Sequence, residues 1–285
     1  MNPRLFCFGL GYSASVLAAI LHDEGWQVAG TCRPDSDAGA FEALGYEMHR
    51  FDGTAPMPNA AAALKGTTHL LSSVPPGPNG DPVLAHHADD IATIQGLAWI
   101  GYLSTTGVYG DRQGGWVDET SSLEPTGARG NRRVDAEVGW LSLKTGAPVH
   151  AFRLAGIYGP GRSALDTVRS SRARRIVKPG QVFSRTHVDD IAQILRASMA
   201  KPHPGAAYNV CDDEAAPPQE VIAYACDLLG VEPPPEIAFD EAELSDMAKS
   251  FYRDNKRVSN KRIKDELGVI LKWPNYREGL RGMIA

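Results

Sequence analysis

The chain has 285 residues, 43% of them hydrophobic and 22% charged, and a net charge of −5. That composition suits one large globular domain, or a large one with a smaller partner, and excludes a disordered chain. No global basic field invites nucleic acid or an anionic membrane surface, and no stretch of about 18 apolar residues is available to span a bilayer.

The stretch MNPRLFCFGLGYS does not read as a signal peptide, because its short apolar run enters a glycine turn instead of a cleavage site. Residues 4–8 (RLFCF) predict a buried parallel strand. Gly9 and Gly11 follow; then Ala14, Leu17, Ala18 and Leu21 fall at helical spacing, with Gly25 as the stop. Residues 26–31 predict a second strand, 41–44 a short helix, 47–51 a third strand, 60–64 a helix and 69–74 a fourth strand. PPGPNGDP at 75–82 predicts a loop, 85–97 a helix and 99–104 a fifth strand. This alternation predicts an α/β fold, a doubly wound parallel Rossmann sheet with helices on both faces.

In the second half, Ile222, Ala225, Cys226 and Leu229 repeat the helical spacing, but the prolines at 233–235 and loop-like stretches interrupt the order. Residues 1–158 are expected to form the dinucleotide-binding domain, with 183–212 returning to it. Residues 159–182 and 213–285 are expected to form a smaller, interleaved α+β C-terminal substrate lobe. Cys7, Cys32, Cys211 and Cys226 are scattered without a CxxC or Cys/His cluster, which predicts reduced, mostly buried thiols in a cytoplasmic protein with no metal site.

GLGYSA at 9–14 fits G-x-G-x-x-A between a strand and a helix. Gly9 suits the tight turn, Gly11 leaves room for a pyrophosphate against the backbone, and Ala14 lets the helix pack close. Leu10, Tyr12 and Ser13 complete this expected phosphate-facing junction. The second strand ends GTCR, with no acid in residues 26–33. Arg33 is therefore expected to meet a 2′-phosphate, making NADP the expected cofactor and NAD the alternative. Blander readings are a strand-ending glycine pair and a solvated surface arginine.

Three later segments carry a family resemblance. LSTTGVYGD at 103–111, PTGARGNRRVDAE at 125–137 and RLAGIYGPGR at 153–162 resemble the extended short-chain dehydrogenase/reductase family, the nucleotide-sugar epimerase and dehydratase group. FSRTHVDDIAQIL at 183–195 matches a later family element, so the resemblance runs through nearly the whole chain. It implies that Thr105 orients a substrate carbonyl beside the nicotinamide, a task suited to an uncharged hydroxyl donor. The family's middle segment reads P-x-x-x-Y-x-x-x-K-x-x-x-E; here Arg129 and Arg133 stand for the tyrosine and lysine, while Pro125 and Glu137 are kept. A guanidinium stays charged near neutral pH, so Arg129 can stabilise an anion but cannot donate the proton. Arg133 keeps the charge and donors with which to grip the nicotinamide ribose. Tyr109, Tyr158 and His187 are the candidate replacement acids, each with a packed, hydrogen-bonded role as its alternative.

The same resemblance implies that Asp52 accepts from adenine, with a turn or cap as its alternative, and that Ser73 and Val74 lie along the adenosine ribose. Ala155, Gly156 and Ile157 are expected against the nicotinamide, and Arg129, Arg162 and His187 on the substrate side. Asp190 is expected to cap a helix, YNVC at 208–211 to form a strand, and SNKRIKDELG at 259–268 a Ser-capped helix. RSSRARR at 169–175 and the hairpin-like IVKPGQVF at 176–183 fall where relatives hold substrate phosphates. A small phosphorylated or acidic substrate is the expectation there; a solvated basic helix end is the alternative. The departures at 129 and 133 resemble the atypical branch of the family, which holds both enzymes and non-enzymatic NADP-binding proteins. The expected activity is that of an NADP-dependent oxidoreductase or epimerase-like enzyme; a non-catalytic NADP-binding sensor or scaffold is the alternative. Family members often pair through two helices, so a homodimer is the implied assembly, with no nucleic-acid or membrane partner.

Overall fold

The computed structural model describes residues 2–203 and 205–284. Strands and helices alternate from the start: β1 (Arg4–Phe8), α1 (Tyr12–Asp23), β2 (Gln27–Cys32), α2 (Gly39–Ala43), β3 (Glu47–Arg50), α3 (Ala60–Ala63), β4 (His69–Ser72), α4 (Pro82–Ala92) and β5 (Trp99–Thr105). With the strands Val149–Leu154 and Ala207–Val210 they form a seven-stranded sheet ordered Ala207–Val210, Val149–Leu154, β5, β4, β1, β2, β3. β1 pairs parallel with β2 and β4, β2 with β3, and β4 with β5, the pattern that crossover helices impose. The order reverses beside β1, and in such sheets ligands bind off the strand ends at that switch point.

Two compact units are present. One comprises Met1–Thr105, Ala128–Arg153 and Ala192–Tyr208; the other comprises Thr106–Gly127, Leu154–Ile191 and Asn209–Ala285. In the first unit Phe6, Phe8, Leu70, Ile100, Tyr102 and Trp140 belong to one buried apolar cluster. β1 is buried along its whole length, and Arg4 is accommodated because its guanidinium donates to Ala63 O and Lys65 O and pairs with Glu47. α4 starts earlier than residue 85 and ends earlier than 97. Asp81 Oδ1 caps it by accepting the amides of Val83 (2.9 Å) and Leu84 (3.1 Å), and Pro82 sits where no amide is needed. The proline that reads as loop in sequence is thus the first helical residue. Asp81 Oδ2 also accepts Trp140 Nε1 at 2.9 Å, tying α4 to the helix Ala128–Leu141.

The second unit has its own core, which includes Tyr158, Leu165, Val221, Ala225, Tyr276 and Leu280. Three local expectations are corrected here. Residues 176–183 are no hairpin: Arg175–Val177 pairs parallel with Glu236–Ala238, and Phe183 bridges to Ala216. Asp190 does not cap a helix; its carboxylate accepts the amides of Lys272 (2.7 Å) and Trp273 (3.1 Å), so it staples a remote segment. The helix Lys261–Asp265 has Asn260 at its N-cap, without a side-chain cap bond, and the expected Ser259 stands one residue earlier, where its Oγ accepts the Lys261 amide at 3.3 Å. The four cysteines are free, three of them buried.

Candidate functional site

The first unit holds a cavity of about 860 Å³ at the ends of β1, β2 and β4. Gly9, Leu10, Gly11, Arg33, Asp52, Ser73 and Val74 line it, so seven of the expected cofactor residues meet in one place. Gly9 has φ +81°, and a Cβ there would lie 2.8 Å from Ser73 Oγ, so only glycine fits. Thr31 locks the turn: its Oγ1 accepts the Gly9 amide at 2.8 Å and its carbonyl accepts the Leu10 amide at 2.8 Å. Ser73 Oγ donates to Gly9 O at 2.5 Å, a role its sequence position alone does not disclose.

Gly11 differs from Gly9. A Cβ at Gly11 would meet nothing within 4 Å, so the space beside its backbone is open. Gly11 is also the N-cap of α1, with no side-chain cap and no acid in the first turn. The start of that helix, with no side-chain cap, therefore turns the positive end of its dipole towards the cavity that Gly11 lines. These features fit a dinucleotide's diphosphate.

At the adenosine end, Arg33 is exposed on the cavity rim, with Ser36 and Asp37 also on the wall. Neither of the latter two is singled out by the glycine motif. Asp52 Oδ1 accepts both the amide (2.9 Å) and the hydroxyl (2.7 Å) of Thr54, and these bonds hold its carboxyl below the usual range. The turn role considered for Asp52 is thus present, in a residue that also lines the cavity.

Also in the first unit, β5 ends at Thr105, and the helix Ala128–Leu141 carries Arg129 and Arg133. Arg133 Nη1 donates to Leu103 O (2.8 Å) and Tyr102 Oη (3.1 Å), so part of its fork is anchored on β5. One turn later, buried Glu137 accepts Ser104 Oγ at 2.8 Å and forms a buried ion pair with Arg153. The glutamate of the motif therefore fixes the helix against the sheet. Arg129 is exposed.

Tyr109, Ala155, Gly156, Ile157, Arg162 and His187 belong to the second unit. Tyr109 is fully buried and donates to Asn209 Oδ1 at 2.7 Å. Tyr158 is buried too, and burial together with Asp212 and Asp190 pushes its phenol up, away from proton donation. Burial lowers the pKa of His187; its Nδ1 accepts the Asp189 amide at 3.1 Å, and its ring packs edge-on against Tyr158 at 5.1 Å. None of the three candidate acids presents an accessible, poised proton.

The second unit has a cavity of about 550 Å³ lined by Arg162, Arg172, Arg174 and Arg185 on its polar side and by Val221, Ile222 and Leu280 on its apolar side. Only Arg162 and the 169–175 run stand out in the sequence; Arg185 joins from the strand Arg185–His187. Burial lowers the Arg185 pKa, and its Nη1 donates to Phe183 O (2.8 Å) and Ala216 O (3.0 Å). Such a set of forks suits a phosphate or carboxylate.

The fold is shared with the dTDP-glucose 4,6-dehydratase of Bacillus anthracis, solved in complex with NAD, which superposes with a TM-score of 0.79 at 14% identity, covering 100% of this chain and 96% of that one. A conserved protein of unknown function from Silicibacter pomeroyi is 53% identical over 99% of this chain and 98% of its own, with a TM-score of 0.92. The chain belongs to the same family as that protein. Protein YeeZ of Escherichia coli K12 is 27% identical over 277 residues, 94% of this chain and 95% of its own. No family model matches. Among the described residues, no helix is long and apolar enough to cross a membrane.

Proposed function

We propose that this protein binds NADP(H) and acts as an oxidoreductase or epimerase-like enzyme, of the atypical short-chain type, on a small phosphorylated or acidic substrate. The observation that carries the reading is the Gly11 junction: open space beside an uncapped helix start, next to a Gly9 turn that tolerates no side chain. A nicotinamide bound there supplies hydride chemistry at its C4 position. Arg33 selects the 2′-phosphate, Asp52 meets adenine, and Ser73 and Val74 follow the ribose. Arg133 holds the nicotinamide ribose with the part of its fork not anchored to β5. Thr105 orients a carbonyl by hydrogen bonding, and Ala155, Gly156 and Ile157 pack near the ring. Arg162 and its neighbouring arginines take the anionic part of the substrate.

One observation favours a second reading, a catalytically silent NADP-binding sensor. Arg129 replaces the acid, and Tyr109, Tyr158 and His187 are all buried among other groups. A placed general acid contributes roughly 10²–10⁴ in rate, so its loss weakens an enzyme without abolishing one whose substrate is well oriented. Titration with NADPH, followed by a screen of carbonyl substrates for loss of nicotinamide absorbance, separates the two. Turnover that disappears in Thr105→Ala supports the enzyme; tight binding with no turnover on any substrate supports the sensor.

A further inference from the structure

β2 and β3 end side by side, with Cys32 and Arg50 as register partners. The chain then makes a turn over Arg33–Ser36, closed by the Ser36 amide on Arg33 O at 3.1 Å. Arg50 Nη1 reaches over both strand ends into this turn, donating to Arg33 O at 3.0 Å and Ser36 O at 2.7 Å, with Cys32 Sγ at 2.9 Å. One guanidinium nitrogen thus holds both ends of a four-residue turn. Cys32, Arg33 and Ser36 line the coenzyme cavity, and Arg50 acts on them from the neighbouring strand end.

The turn needs such a clamp because its charges conflict. Asp37 follows directly and lines the same cavity. Its Oδ1 is tied to the Gly39 amide at 2.8 Å, at the start of α2. In a loosened turn, Arg33 and Asp37 would both sample the space beside the ribose, and attraction and repulsion towards a phosphate would offset each other. A 2′-hydroxyl, being uncharged, makes no comparable demand.

We propose that Arg50 is a positioning residue for coenzyme selection: it fixes the Arg33–Ser36 turn so that the Arg33 guanidinium faces an adenosine 2′-phosphate. This rests on the NADP reading above and adds a residue that does not itself touch the coenzyme. Arginine is required because Nη1, which holds both carbonyls, lies one atom farther along the side chain than the nitrogen of lysine, a compact point charge on a shorter stem.

The test is fluorescence titration of the full chain with NADPH and with NADH, for the natural protein, Arg33→Gln, Arg50→Met, Arg50→Lys and the Arg33→Gln/Arg50→Met double variant. Expected is a preference for NADPH in the natural protein, reduced about tenfold in both Arg50 variants through weaker NADPH binding. The double variant is expected to lose no more selectivity than Arg33→Gln, because a positioning residue has nothing left to position. Natural selectivity in Arg50→Lys would show that charge alone matters and overturn the inference; so would additive losses in the double variant. A natural protein with no NADPH preference removes the NADP reading itself, whereas a preference that survives in Arg50→Met removes only the role of Arg50.

Discussion

Each unit contains a buried carboxylate near an arginine, and the two are used in opposite ways. In the first unit Glu137 and Arg153 pair directly, with side-chain exposures of 2% and 6%, and Ser104 adds a bond to the same carboxylate. In the second, Arg185 gives Nη1 to two carbonyls, while Asp212 is 4% exposed and its Oδ2 has no hydrogen-bond partner among the described residues. Burial pushes the Asp212 carboxyl up to about 8, despite the charge of Arg185. A matched pair fixes geometry; an unmatched one leaves a proton to be gained or lost. The two cavities follow the same division. The first is lined by the Gly9–Gly11 turn, which Thr31 and Ser73 lock, and the second by the side chains of Arg162, Arg172, Arg174 and Arg185.

Breaking the matched pair is the severest test of that contrast. Glu137→Ala removes the carboxylate from a buried arginine, Arg153, and the expected loss is about 3–5 kcal/mol of stability, read by urea denaturation. A loss below roughly 1 kcal/mol would mean that the helix Ala128–Leu141 is held by packing and not by this pair. Next in size is Gly11→Val, which asks whether the first cavity is built from backbone. Gly11 has φ −100° and ψ −163°, a conformation valine adopts, and its Cβ would meet no atom. The variant should unfold at the natural denaturant concentration and yet bind NADPH at least about tenfold more weakly, because the side chain fills the diphosphate's space. Unchanged affinity would move the coenzyme elsewhere.

The unmatched carboxylate makes a pH prediction. The folded pKa of Asp212 lies above its ordinary 3.8, so between that value and about 8 the native state holds a proton that the unfolded chain has released. Its contribution is complete below the ordinary pKa and is lost as pH rises towards the folded one, at up to about 1.4 kcal/mol per pH unit. Denaturation from pH 5 to 8 should show stability falling more steeply in the natural protein than in Asp212→Asn. Parallel profiles would place Asp212 in a charged, well-paired state, erasing the difference between the two units.

The same division explains what the sequence reveals. Gly9, Gly11 and Ala14 are legible because backbone recognition demands fixed spacing within a single turn, and β1 to β5 because parallel strands are continuous apolar runs. Glu137 is visible as part of a motif, but its pairing with Arg153 across sixteen positions is not. Arg50 reads as an ordinary strand end until its bonds to the 33–36 turn are known. Asp190 looks like a helix cap because its partners lie 82 and 83 residues away. Pro82 misleads in the other direction, since proline breaks a helix interior but suits its first residue. Side-chain clusters drawn from distant segments leave no local spacing to read.

The smallest expected effect concerns the arginine cavity, where recognition is shared among exposed forks. Arg172 Nε rests on Ser170 Oγ at 3.0 Å, and Arg174 Nη1 donates to Glu243 O at 2.7 Å; among the described residues neither pairs with a carboxylate. Arg172→Ala and Arg174→Ala should each weaken inorganic pyrophosphate binding, measured calorimetrically, by about three- to tenfold. Because both side chains are exposed, the difference should shrink as salt rises from about 0.05 to 0.5 M, where the screening length drops well below the width of the cavity. Gly11→Val binding losses, which come from volume and not charge, should persist at the same salt. A pyrophosphate affinity insensitive to either arginine would leave them as a solvated helix end and remove the side-chain half of the contrast.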